Sequence, residues 1–110
     1  MPYDEGLAQR VRELLQDTPG VTEKRMFGGL AFMVEGHMAV GVSGKNALLC
    51  RLGPELFAAA LEKPHVKPMV HGGRTMKGFL YVDPSALAED EDLRYWVDLC
   101  RAYVRSLPPK

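Results

Sequence analysis

The stretch Leu30-Ala31-Phe32-Met33-Val34-Glu35-Gly36-His37-Met38-Ala39-Val40-Gly41-Val42 decides the fold. Two runs rich in β-formers flank Glu35-Gly36, a connection of the length that joins antiparallel strands in a two-residue hairpin. Downstream, Ser43-Gly44-Lys45-Asn46 has the composition of a turn and delivers a further apolar run over residues 47–52. Upstream, residues 21–27 include Thr22, Glu23, Lys24 and Arg25, which suits a strand with one wet face at the edge of a sheet. Strands that follow one another without intervening helices form an antiparallel meander, whereas a doubly wound parallel sheet needs a crossover between each pair.

Helical patterns lie outside this block. Leu7, Val11, Leu14 and Leu15 repeat with helical spacing, so residues 4–17 read as an amphipathic helix capped by Asp4 and stopped by Pro19-Gly20. Gly53-Pro54 opens a second helix with Glu55 in its first turn and Leu56, Phe57 and Leu61 on its buried side. Residues 63–77 hold Pro64, Pro68, Gly72 and Gly73 and read as a structured loop or a bent, interrupted strand. Residues 78–82 resume β character, and Asp83-Pro84 turns the chain out. Leu93, Trp96, Val97, Cys100, Tyr103, Val104 and Leu107 trace the apolar face of a closing helix over about residues 89–106. The acidic start and basic end of that helix match the sign of its dipole. The predicted class is α+β: a two-layer domain with an antiparallel sheet, helices on one face, and the order α-β-β-β-β-α-β-(β)-α.

The chain of 110 residues fits a single domain over 1–110. With 46% hydrophobic and 25% charged residues it has globular composition, and 14 basic against 14 acidic residues exclude the whole-protein positive field of a general nucleic-acid binder. No apolar run is long enough for a membrane span, and the start lacks a signal-peptide pattern, so a cytoplasmic protein without membrane contact is expected. Cys50 and Cys100 sit apart in apolar stretches and read as buried thiols.

Motifs for catalysis fail one by one. Gly44-Lys45 is followed by Asn46 and preceded at the required distance by Ala39, so there is no phosphate loop. Gly28-Gly29 lacks dinucleotide spacing and reads instead as a structural turn between strands. Ser43 in Gly41-Val42-Ser43-Gly44 sits in a hairpin turn, not at a nucleophile elbow. His37, His65, His71, Cys50 and Cys100 have no metal-ligand pairing. No catalytic residue, cofactor or metal, and no enzymatic activity, is therefore expected. One segment stands out: residues 63–77 contain Lys63, Lys67, Arg74 and Lys77 with no acid, plus His65 and His71. Lys63, Lys67, His71, Arg74 and Lys77 are thus candidates for an anion or nucleic-acid site, with Gly72-Gly73 freeing backbone N–H groups and Arg74 offering a bidentate fork. The segment has no aromatic residue, which argues against stacking on single strands.

Arg25-Met26-Phe27-Gly28-Gly29-Leu30-Ala31-Phe32, then Glu35-Gly36-His37-Met38, Lys67-Pro68-Met69 and Phe79-Leu80-Tyr81-Val82-Asp83-Pro84, resemble the N-terminal domain of the TfoX/Sxy family in series. The resemblance covers nearly the whole chain and implies the same small α+β domain. Full-length relatives pair this domain with a C-terminal helical domain and are associated with regulation of bacterial natural competence together with a cyclic-AMP receptor protein. The resemblance brings no catalytic set. It implies a stand-alone interaction domain in transcription regulation, with a protein partner or a second copy of itself bound through a strand edge or helix face.

Overall fold

Asp4 starts the first helix: its carboxylate accepts from the Gly6 N–H at 2.8 Å and the Leu7 N–H at 3.2 Å, satisfying donors that a helix start leaves open. In the computed structural model residues 4–26, 28–44 and 47–108 are described, Met26 and His71 by backbone alone. Phe27, Lys45 and Asn46, expected in the first strand and the second turn, lie outside the described residues. The helix, α1, spans Glu5–Leu14, and residues 15–17 continue as a turn rather than as helix.

The meander follows as β1 (Val21–Met26), β2 (Gly29–Val34), β3 (His37–Val42) and β4 (Leu48–Arg51). Each pairs antiparallel with the next, Val34 opposite His37 across the Glu35-Gly36 turn. Ser43 closes the β3–β4 turn by accepting from the Ala47 N–H on Oγ at 3.1 Å while its own N–H donates to the Ala47 carbonyl at 2.9 Å. Helix α2 (Pro54–Ala60) then leads to β5 (Val66–His71) and β6 (Arg74–Val82), and a 3-10 turn at Pro84–Ala86 precedes α3 (Asp90–Arg105). The sheet order is β1-β2-β3-β4-β6-β5, antiparallel throughout.

Of the two readings open for residues 63–77 the bent, interrupted strand holds, and one expectation, a buried Leu56, is corrected. Residues 63–77 are mostly strand: Val66–His71 and the start of Arg74–Val82 form a hairpin around Gly72-Gly73, because the prolines and glycines fall at a bulge near Pro68 and at the turn. Leu56 is 45% exposed, whereas Ala60 is buried and Phe57 and Leu61 pack half-buried against the core. Phe57, Ala60 and Leu61 share one helical face, and Leu56 lies at its rim.

Pleating splits the sheet into two faces. Leu30, Phe32, Val40, Val42, Leu48, Cys50, Leu80 and Val82 join the helix residues Leu7, Val11, Leu93, Trp96, Val97 and Cys100 in the main core. The helices therefore cover one face. Ala31, Met38, Leu49 and Met69 bury themselves in a second cluster made only of strand residues, ringed by half-buried Met33, Met76, Phe79 and Tyr81. Among the described residues no helix is long and apolar enough to cross a membrane.

Candidate functional site

Two clefts flank the sheet. The larger, about 780 Å³, is lined by Gly28, Ser43, His65, Lys67, Tyr81 and Asp83 among others. It forms because β5, the last strand in the sheet, brings Lys67 directly opposite Tyr81 on β6. His65 precedes β5 with φ at 65°, a left-handed conformation that costs a residue with a Cβ free energy. Neighbouring contacts hold it there. Its carbonyl accepts from the Asp83 N–H at 2.8 Å, and Ser85 Oγ lies 3.3 Å from its Nδ1.

The Asp83 carboxylate accepts from the Ser85 N–H at 2.9 Å, and this bond, aided by the charges of His65 and Lys67, lowers its pKa. Partial burial pushes the Tyr81 phenol up, so it stays protonated and can donate a hydrogen bond at neutral pH. The cleft thus offers a cation, a phenol donor and a carboxylate. Asp83 caps the backbone N–H of Ser85, whose hydroxyl lies beside the His65 ring.

The smaller cleft, about 370 Å³, opens where β4 leaves the sheet, and Arg51, Leu52, Phe57, Lys77, Phe79 and Tyr103 line it. Arg51 faces Phe79 across the β4–β6 ladder. Its guanidinium carbon lies 5.7 Å from the centre of the Phe79 ring and 5.7 Å from that of Tyr103, within range of cation–π attraction to both. Nη1 donates to the Met38 carbonyl at 3.4 Å. Among the described residues no carboxylate lies in salt-bridge range of Arg51 or Lys77.

Of the five basic candidates, His71 and Arg74 stand opposite each other across the β5–β6 hairpin, while Lys63, Lys67 and Lys77 lie in three separate surroundings. Lys63 sits after α2 with its Nζ 5.1 Å from the centre of the Tyr95 ring, on the helical side. Lys67 lines the larger cleft and Lys77 the smaller. Arg74 is exposed where β6 leaves the Gly72-Gly73 turn, and the His71 side chain lies outside the described residues. Gly28 takes a positive φ of 74° and lines the larger cleft. Gly29 lies inside β2 at a close approach to β3. Sequence reasoning passed over Arg51, Phe79, Tyr81 and Tyr103; the available signal was Arg51 itself, a lone charge inside the apolar run 47–52.

A family model described as the TfoX N-terminal domain matches residues 13–103. No curated protein and no solved structure matches the chain.

Proposed function

The chain belongs to the TfoX N-terminal domain family, and from that premise we propose that it is a non-catalytic interaction domain of bacterial transcription regulation. It docks a protein partner on the helix-free face of its sheet. One observation carries the reading: among the described residues Ala31, Met38, Leu49 and Met69 form a buried cluster that no helix covers, and Met33, Met76, Phe79 and Tyr81 stand half-buried around it. Methionine side chains are flexible and polarizable, so a surface built from them adapts to a partner's shape. Val70, 57% exposed on β5, extends the apolar surface to the sheet edge.

Docking uses side chains rather than strand addition. The β1 edge carries Glu23, Lys24 and Arg25, and the β5 edge carries Pro68 and a bulge; both features discourage edge pairing. The association of the family with competence supports a regulatory task, and a second copy of the chain is one form the partner can take. Nucleic-acid binding through residues 63–77 is the weaker reading, because Lys63, Lys67 and Lys77 point to three separate environments.

Photo-crosslinking in the native cell tests the proposal. A crosslinker in place of Val70 is expected to capture one discrete protein species, heterologous or self, that a crosslinker in place of exposed Glu91 on α3 does not. A Val70→Glu change in the same chain, with the crosslinker moved to Met76, is expected to abolish the adduct. Equal capture from both faces, or none from the sheet face, overturns the proposal.

A further inference from the structure

We infer that the cleft between Arg51 and Lys77 is a binding site for a small organic anion, a carboxylate or phosphate group joined to an apolar or aromatic body. Arg51 carries the argument. It is half-buried, yet among the described residues no carboxylate pairs with it. A charge partly withdrawn from water gains from an opposite charge beside it, so an anion that reached this half-buried guanidinium would complete an ion pair.

The rings of Phe79 and Tyr103 hold this guanidinium and limit its rotation, which lowers the entropy lost when a ligand binds to it. Its contact with the Met38 carbonyl at 3.4 Å is long, leaving most of the five N–H donors available to a forked acceptor. Lys77, exposed at the same cleft, supplies a second positive charge, and among the described residues no acid lines the cleft. Leu52, Pro54 and Phe57 add an apolar wall for the body of the ligand.

The backbone is shaped to keep this space. Leu52 N–H donates to the Gly78 carbonyl at 2.7 Å, and Gly78 adopts φ of 86° with its missing Cβ 3.0 Å from the Leu52 carbonyl oxygen. A side chain at 78 would crowd the Leu52 carbonyl and would hold a strained positive φ at the mouth of the cleft. A volume of about 370 Å³ suits a single-ring acid and is too small to enclose a nucleic-acid backbone with its neighbouring bases. Phe79 borders both this cleft and the proposed docking face, but the cleft takes a different class of ligand and stands without the protein-docking reading.

Amide chemical-shift titration of the whole chain tests it with three probes: N-acetyl-L-phenylalanine, phenyl phosphate, and the neutral N-acetyl-L-phenylalaninamide. At least one anion is expected to shift the amides of residues 51–53 and 77–79 saturably, and the anion that does so identifies the headgroup class. The neutral amide is expected to leave them unmoved. Lys77→Gln, a change at an exposed position, is expected to weaken binding by about fivefold, and Arg51→Lys, which keeps the charge and loses the fork, by about tenfold. No saturable shift from either anion, equal shifts from the neutral amide, or unchanged affinity in a folded Lys77→Gln chain would each overturn the inference.

Discussion

Gly29 lies so close to Val42 that a Cβ at position 29 would stand 2.0 Å from the Val42 carbonyl oxygen and 2.9 Å from the Cα of Ser43. The two strands of the central hairpin can approach as they do only because position 29 has no side chain. Backbone atoms cannot swing aside as a flexible side chain can, so any substitution there must displace β3.

Gly29→Ala should therefore destabilise the chain by about 3 kcal/mol, the upper range for overpacking a well-fitted site. Gly28→Ala should cost only about 1 kcal/mol, because its added Cβ meets nothing within 4 Å among the described residues and the penalty is that of the positive φ of 74°. Urea denaturation of both variants checks the contrast; equal losses would show that conformation, not contact, governs both positions.

Cys50 and Cys100 are free, buried thiols, and burial raises the Cys50 pKa well above its ordinary value of 9.0, with the Cys100 thiol adding to the rise. A folded-state pKa above the unfolded one means that the unfolded chain loses its proton first. The associated stability is present below about pH 9 and is lost as pH rises beyond it. Equilibrium unfolding should show stability falling as pH rises above about 9, and Cys50→Ala should flatten that slope. Iodoacetamide at pH 8 should modify the native chain only as fast as it unfolds.

On the helix-free face, neighbouring residues should respond in opposite ways. Met69 is 1% exposed within the strand-only cluster, so Met69→Ala should cost about 2–3 kcal/mol through lost burial and an unfilled space. Val70, the next residue of β5, is 57% exposed, and Val70→Ala should change stability by less than about 0.5 kcal/mol. Thermal melts of the two variants distinguish a buried cluster from an exposed patch.

Arg12 grips Glu23 as a fork, Nε to Oε2 at 2.6 Å and Nη2 to Oε1 at 2.9 Å, joining α1 to β1. This contact lowers the Glu23 pKa from its ordinary value of 4.5. A depressed carboxylate stabilises the fold above its unfolded pKa, and that contribution fades as pH falls through the folded value. Both side chains are more than a third exposed, so solvent screening holds the gain to about 0.5 kcal/mol. Glu23→Gln should lower stability by about that amount at pH 7 and by almost nothing at pH 3, as read by urea unfolding at the two pH values.

The meander and the closing helix were legible because each is signalled locally. Glu35-Gly36 marks the hairpin, and the spacing of Leu93, Trp96, Val97, Cys100 and Val104 picks out the residues that α3 buries. The site was less legible. Lys63, Lys67, Arg74 and Lys77 are neighbours in sequence, but a helix end, a strand and the far arm of a hairpin distribute them to different surroundings, so their summed charge acts at no single point. Arg51 gave a faint signal as a charge among apolar neighbours, and nothing nearby in the chain announced Phe79 or Tyr103 as its companions.

Residue order by itself determined the α+β class, the four-strand meander and the residues that α1 and α3 turn inward, since periodicity is a record of which side of an element meets water. Tertiary structure alone decided that β6 inserts between β4 and β5, that one sheet face keeps a methionine cluster without helical cover, and that Arg51 meets two rings from distant segments. The reason is that local patterning fixes how a segment faces solvent, whereas the choice among possible strand neighbours is made by packing the entire chain at once.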